Sequence, residues 1–173
     1  MTAAVRRLLD PERPVGHAAH LARRFFTSLS SRPPAADDLE WARRQLSDDQ
    51  RALWERMSVR DQRHTLRVAR NYVARRPLAA ADEIAGALLH DVGKVAGDLG
   101  TFTRVLARLV GPRTRRLREY HDHEAIGAAL AAAAGSSFVT VALVRGVADE
   151  TETVRAPELP AMITALRDAD DAT

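Results

Sequence analysis

Apolar residues along this 173-residue chain recur at spacings of three and four, and no segment sustains the alternation that a half-buried strand needs. That pattern restricts the chain to helices packed on helices. His17 to Leu29 places Leu21, Phe25 and Leu29 at i, i+4 and i+8, then stops in the turn cluster Ser30-Ser31-Arg32-Pro33-Pro34. Asp37 is expected to cap a short helix running through Leu46. Ser47 followed by Gln50 is a capping-box signature for the next turns, around Leu53 and Trp54. Ser58 with Asp61 opens a longer helix to Arg76, which Pro77 stops. Further helices are expected from Ala80 to Asp91, ending at Gly93, and from Thr101 to the Gly111-Pro112 stop. Another spans Arg113 to Ala134, with a break near Asp122 and a stop at Gly135. A last one spans Pro157 to Asp171. Ser136 to Ala148 is apolar and rich in β-branched residues; among helices it reads as a buried helix. The expected fold class is all-α, a single-domain helical bundle.

The length suits one domain, and 46% hydrophobic with 28% charged residues is a globular balance, not that of a disordered tail. Cysteine is absent, which excludes disulfides, thiolate zinc sites and cysteine nucleophiles. Any metal must therefore be held by His, Asp and Glu. Apolar runs such as Val139 to Val144 are far shorter than the roughly 18–20 residues of a membrane span. Asp10, Pro11 and Glu12 interrupt the start before a secretory signal could form. A cytoplasmic protein with no membrane partner is expected. Of 26 basic residues 25 are arginine, and the one lysine is Lys94. Residues 1–76 carry 16 basic and 9 acidic groups (+7), whereas residues 148–173 carry 2 and 7 (−5). The basic half favours anionic ligands such as nucleotides. With only 5% aromatics and no basic–aromatic interleaving, a nucleic-acid partner is not expected.

The histidines are His17, His20, His64, His90, His121 and His123. His90-Asp91 ends an apolar helix in which Ile84, Leu88 and Asp91 fall at i, i+4 and i+7, so both side chains flank the buried stripe. A carboxylate there is expensive unless it is paired or metal-bound. The plainer alternative is a histidine favourable to the helix dipole followed by a turn-forming Asp. In the last helix, Ile163, Leu166 and Asp170 lie at i, i+3 and i+7, while Asp168 and Asp171 fall with Thr164 and Arg167 on the solvated side. His64 sits beside the stripe Leu66, Ala69 and Val73, and His123 begins the stripe Ile126, Leu130 and Ala133. Either could equally be an ordinary packed histidine.

Taken in order, His64, His90-Asp91 in "ALLHDVGK" and Asp170 in "ALRDADDA" resemble the HD superfamily of metal-dependent phosphohydrolases, over roughly residues 58 to 171. The resemblance implies a helical bundle of the HD-domain type over 58–173; residues 1–57 fall outside it and are expected as an N-terminal helical extension. It implies His64, His90, Asp91 and Asp170 as metal ligands. "HDHEAIGAALAAAAG" is similar to the segment that many members place next, which makes His123 a candidate for a second metal or for substrate phosphate. Members with two metals carry a further histidine, and none follows His123 here; Asp149 or Glu150 would have to substitute. One divalent ion per chain is therefore favoured, and a His/Asp set suits Mn, Fe, Co, Zn or Mg.

The expected activity is hydrolysis of a phosphate ester or anhydride on a small, nucleotide-like substrate. Asp91 would orient or deprotonate the attacking water, and Lys94, Arg63 and Arg67 would stabilise phosphate oxygens. A lysine in a chain that otherwise writes arginine fits a slot too small for a guanidinium. The alternatives are a catalytically degenerate nucleotide or metal sensor, and a diiron oxygenase, which would need more histidines than remain.

Overall fold

A computed structural model describes residues 33–98 and 122–173, which fall in the compact unit Pro33–Thr173. The helix expected from His17, the one from Thr101 and the first part of the one from Arg113 lie outside the described residues, as do His17, His20 and His121. Every described element is helical, so the fold is an all-α bundle, and no described helix is long and apolar enough to cross a membrane.

Helix α1 is Ala36–Gln45. Its N-cap is Ala35, with no side-chain cap; Asp37, expected as the cap, lies instead with Asp38 inside the first turn, where a carboxylate still favours the helix dipole. Helix α2, Asp48–Glu55, starts with the expected capping box: Ser47 Oγ accepts from Gln50 N, and Gln50 Oε1 accepts from Ser47 N. Helix α3, Val59–Arg75, is capped by Ser58 and ends at Arg76, one residue before Pro77. Although α1 and α2 belong to the segment expected as an extension, their Ala42, Leu53 and Trp54 are part of the same buried core as Leu66, Leu88 and Leu143. Trp54 is fully buried and its indole N–H donates to Thr65 Oγ1 at 3.0 Å, so the largest buried side chain among the described residues has no stranded polar atom.

Helix α4, Ala81–Leu89, is buried from Glu83 through Leu89. A helix apolar around its circumference belongs in the interior, and α4 lies between α3 and α6, Phe138–Arg145. Gly86 permits the close approach of α4 to α6, since a Cβ there would lie 2.7 Å from Leu143 Cδ1. The chain then leaves α-helical geometry two residues earlier than expected and continues as a 3-10 segment, Val92–Asp98. Helix α5, Asp122–Ala133, packs on that segment and on α6, and it ends as expected at Gly135 in the left-handed region (φ +70°). The N–H of Ser136 reaches back to Ala131 O and that of Gly135 to Ala132 O, which satisfies the last carbonyls. Helix α6 realises the buried helix expected over Ser136 to Ala148. Helix α7, Glu150–Arg155, was not anticipated; Asp149 and Glu152 close a reciprocal capping box around it. Helix α8, Leu159–Asp171, lies against α3 and α6.

One buried carboxylate ties this frame together. Glu83 accepts from the Tyr72 hydroxyl (2.6 Å), the Arg76 Nε (2.8 Å) and the Ala80 N–H (3.1 Å), and Arg76 also reaches Glu158 at the start of α8. Burial opposes ionisation of Glu83, but these donors outweigh it and hold its pKa below the ordinary value. Burial, and then the bond to Glu83, push the Tyr72 hydroxyl well above its ordinary range. The α3–α4–α8 junction is therefore fixed by a charged bond that apolar packing alone would not orient.

Candidate metal centre

Three elements deliver one side-chain cluster. On α3, Thr65, Leu66, Val68, Ala69 and Tyr72 face the core, which leaves His64 at the edge of the buried stripe. On α8, Leu159, Ile163, Leu166 and Ala169 are buried, and Asp170 sits half-buried beside them while Asp168 and Asp171 are exposed. The C-terminal end of α4 supplies His90 as its C-cap residue, with Asp91 next, buried at 7% exposure.

The structure brings these four together. His64 Nε2 lies 2.9 Å from Asp170 Oδ1 and 3.6 Å from Asp91 Oδ2. His90 Nε2 lies 3.7 Å from Asp91 Oδ2 and 4.0 Å from Asp170 Oδ1. The two imidazole centroids are 5.4 Å apart. His64, His90 and Asp91 each offer a ligand-capable atom within 4.8 Å of the others; Asp170 flanks this trio through its bond to His64.

His90 is the informative member. Its Nδ1 lies 2.9 Å from the Ala87 carbonyl, which can only accept, so Nδ1 carries the ring proton of the neutral imidazole. Nε2 then presents a lone pair. That atom is buried and makes no hydrogen bond, while both nearby carboxylates face it. A buried acceptor without a donor costs about 1–3 kcal/mol, and two anions facing a lone pair worsen it. A cation resolves the conflict. A proton is a poor candidate, because burial holds the His90 pKa below its ordinary value despite the pull of Asp91 and Asp170. A divalent metal fits: two imidazole nitrogens and one or two carboxylate oxygens are a donor set for Mn, Fe, Co or Zn, and the Nδ1–Ala87 bond is the outer contact that orients a ligating histidine. The Asp170 carboxyl is held below the ordinary range first by the His64 hydrogen bond, against burial, and is an anion ready to ligate.

The other anticipated residues fall as follows. Lys94 Nζ donates to Asp91 Oδ2 at 2.5 Å, a partnership that periodicity did not suggest; it binds a carboxylate and does not cap helix carbonyls. Arg63 and Arg67 lie on α3, one residue before and three after His64. His123 stands at the start of α5, half-buried, and is not among the ligand-capable residues that gather with His64, His90 and Asp91. Its backbone matters more: a Cβ on Gly93 would lie 1.8 Å from the His123 carbonyl oxygen, so glycine is required behind the His-Asp pair because α5 occupies that space. This is a contact role, since Gly93 is not in the left-handed region. Asp149 is engaged as the α7 cap, and Glu150 is exposed on that helix. Set against family models, curated proteins and solved structures, the chain matches none of them.

Proposed function

We propose that the chain is a metal-dependent phosphohydrolase of the HD-superfamily kind, acting on a phosphate ester or anhydride of a small, nucleotide-like molecule. The observation that carries this is the buried, unpartnered Nε2 of His90 facing His64, Asp91 and Asp170. His64, His90 and Asp91 would hold one divalent ion, with Asp170 as the further ligand. When bound, such an ion supplies Lewis acidity toward a phosphoryl oxygen and makes water a competent nucleophile near neutral pH. The protein's own contribution is orientation. The Ala87 carbonyl orients the His90 ring, and the bonds among Tyr72, Arg76, Glu83 and Glu158 tie together α3, α4 and α8, the helices that deliver His64, His90 and Asp170. Asp91, as a carboxylate in the cluster, would orient an attacking water or take its proton. Lys94, whose side chain is 47% exposed beside Asp91, can turn to a phosphoryl oxygen, and Arg63 and Arg67 on the neighbouring turns of α3 add positive charge.

The test is phosphate release from a panel of nucleotides and simple phosphate esters by protein loaded in turn with Mn²⁺, Mg²⁺, Co²⁺ and Zn²⁺. Turnover should appear with at least one metal and vanish in His90→Ala and Asp91→Asn. Turnover that persists in both variants, or metal-loaded protein that hydrolyses nothing, refutes the proposal.

A further inference from the structure

Asp91 Oδ2 is a crowded atom. It lies 3.6 Å from His64 Nε2 and 3.7 Å from His90 Nε2, and it accepts the Lys94 ammonium at 2.5 Å. The oxygen turned toward both imidazoles is thus the oxygen that Lys94 neutralises. A buried carboxylate needs a counter-charge, and Lys94 is three residues away on the 3-10 turn, its backbone N–H bonded to the Asp91 carbonyl at 3.0 Å. The Lys94 side chain is 47% exposed, so the ammonium can leave Asp91 without leaving water.

We propose that Lys94 is an internal competitor of the metal: its ammonium neutralises Asp91 until a divalent ion takes over Oδ2, and loading then frees the ammonium beside the centre for an anionic substrate. The inference rests on the metal reading above and adds an order of events to it. An ion held by the two imidazoles and Oδ2 brings a double positive charge close to where the ammonium sits, and one oxygen cannot serve both cations at full strength. Ion and ammonium are therefore coupled with negative sign. Displacement leaves Lys94 tethered next to Asp91, where an incoming phosphate meets it only after the ion is in place. Arginine would do this badly, because its planar fork engages a carboxylate through two bonds and is released less readily.

Because Lys94 is the only lysine in the chain, one label reads it. Full-length protein is reductively methylated with ¹³C, the Lys94 signal is identified by its absence in Lys94→Met, and Zn²⁺ is added. The same two proteins, unlabelled, are titrated with Zn²⁺ by calorimetry. The Lys94 resonance should move to a position typical of a free, solvated ammonium as Zn²⁺ saturates. Lys94→Met should bind Zn²⁺ at least about fivefold tighter than wild type, the low end of ordinary coupling between two binding events. Zn²⁺ bound equally well or less well by Lys94→Met, with the resonance unmoved in wild type, overturns the competition while leaving the metal centre standing. Absence of Zn²⁺ binding by both proteins removes the centre and the competition together.

Discussion

Replacing Gly93 with alanine tests whether the fold holds the His-Asp pair in place through backbone contact. The added Cβ would meet His123 O at 1.8 Å, His123 C at 2.6 Å and His123 Cα at 2.9 Å. All three are backbone atoms, so no side-chain rotation relieves the overlap. Restoring ordinary contact at 3.4 Å requires the 3-10 segment and the start of α5 to part by about 1.6 Å. Overpacking of a buried site costs about 1–3 kcal/mol, occasionally more, and a backbone obstacle belongs at the upper end, near 3 kcal/mol. The movement begins two residues after Asp91, and a displacement of about 1 Å at a working site lowers its performance about 10²-fold. Gly86→Ala is the comparison: its nearest obstacles, at 2.7 and 2.8 Å, are atoms of the Leu143 side chain, which can yield in part. Urea unfolding followed by circular dichroism should place Gly93→Ala below Gly86→Ala, and calorimetry should show weakened metal binding only for Gly93→Ala. Wild-type stability in Gly93→Ala, or lost stability with undiminished metal affinity, would refute the link between this contact and the site.

Other substitutions separate the frame from the centre. Glu83→Ala strips Arg76 of its buried partner and Tyr72 of its acceptor; it should cost about 3–5 kcal/mol in urea unfolding, and a loss below about 1 kcal/mol would show that the junction is held by packing alone. Asp170→Asn should weaken metal binding far more than Asp168→Asn or Asp171→Asn, because Asp170 alone of the three reaches His64; equal affinities in the three variants would contradict this. Burial depresses the His90 pKa below its ordinary 6.5, so the unfolded chain takes up a proton that the folded chain resists. The associated stability is present above pH 6.5 and declines as pH falls below it. Metal-free protein should therefore lose urea resistance between pH 7.5 and 5.5, and His90→Asn should lose less; an identical decline in the variant would remove His90 as its source.

Much of this was legible in the sequence where a local rule governed. Ser47 with Gln50, Ser58 and Gly135 act through neighbours within a few residues, so spacing was enough to place them. Asp37 shows the limit of such rules: a carboxylate in the first turn helps a helix without capping it. The end of α4 was misplaced by two residues because the chain tightens into a 3-10 turn under contact with α5, and α5 begins some thirty residues further along. Gly93 was recognised as a stop but not as a contact for the same reason. Periodicity singled out Asp170 among three acidic neighbours, since Ile163 and Leu166 face the core and Asp168 and Asp171 do not. It could not show the Lys94–Asp91 bond, nor the junction of Tyr72, Arg76, Glu83 and Glu158. Those depend on side-chain reach and on which helices are neighbours. Helix α7 escaped notice because its six residues bury nothing and so leave no apolar period.

Metal content is the most direct measure of the centre. Protein purified without chelator, then equilibrated with a divalent metal and desalted, is analysed for metal per chain, with His90→Ala treated in parallel. The His90 Nε2, His64 and Asp91 arrangement predicts close to one ion per chain in the wild type and almost none in His90→Ala. Equal metal in both proteins, or none in the wild type with any of Mn²⁺, Co²⁺ or Zn²⁺, would contradict the assignment of this cluster as a metal centre.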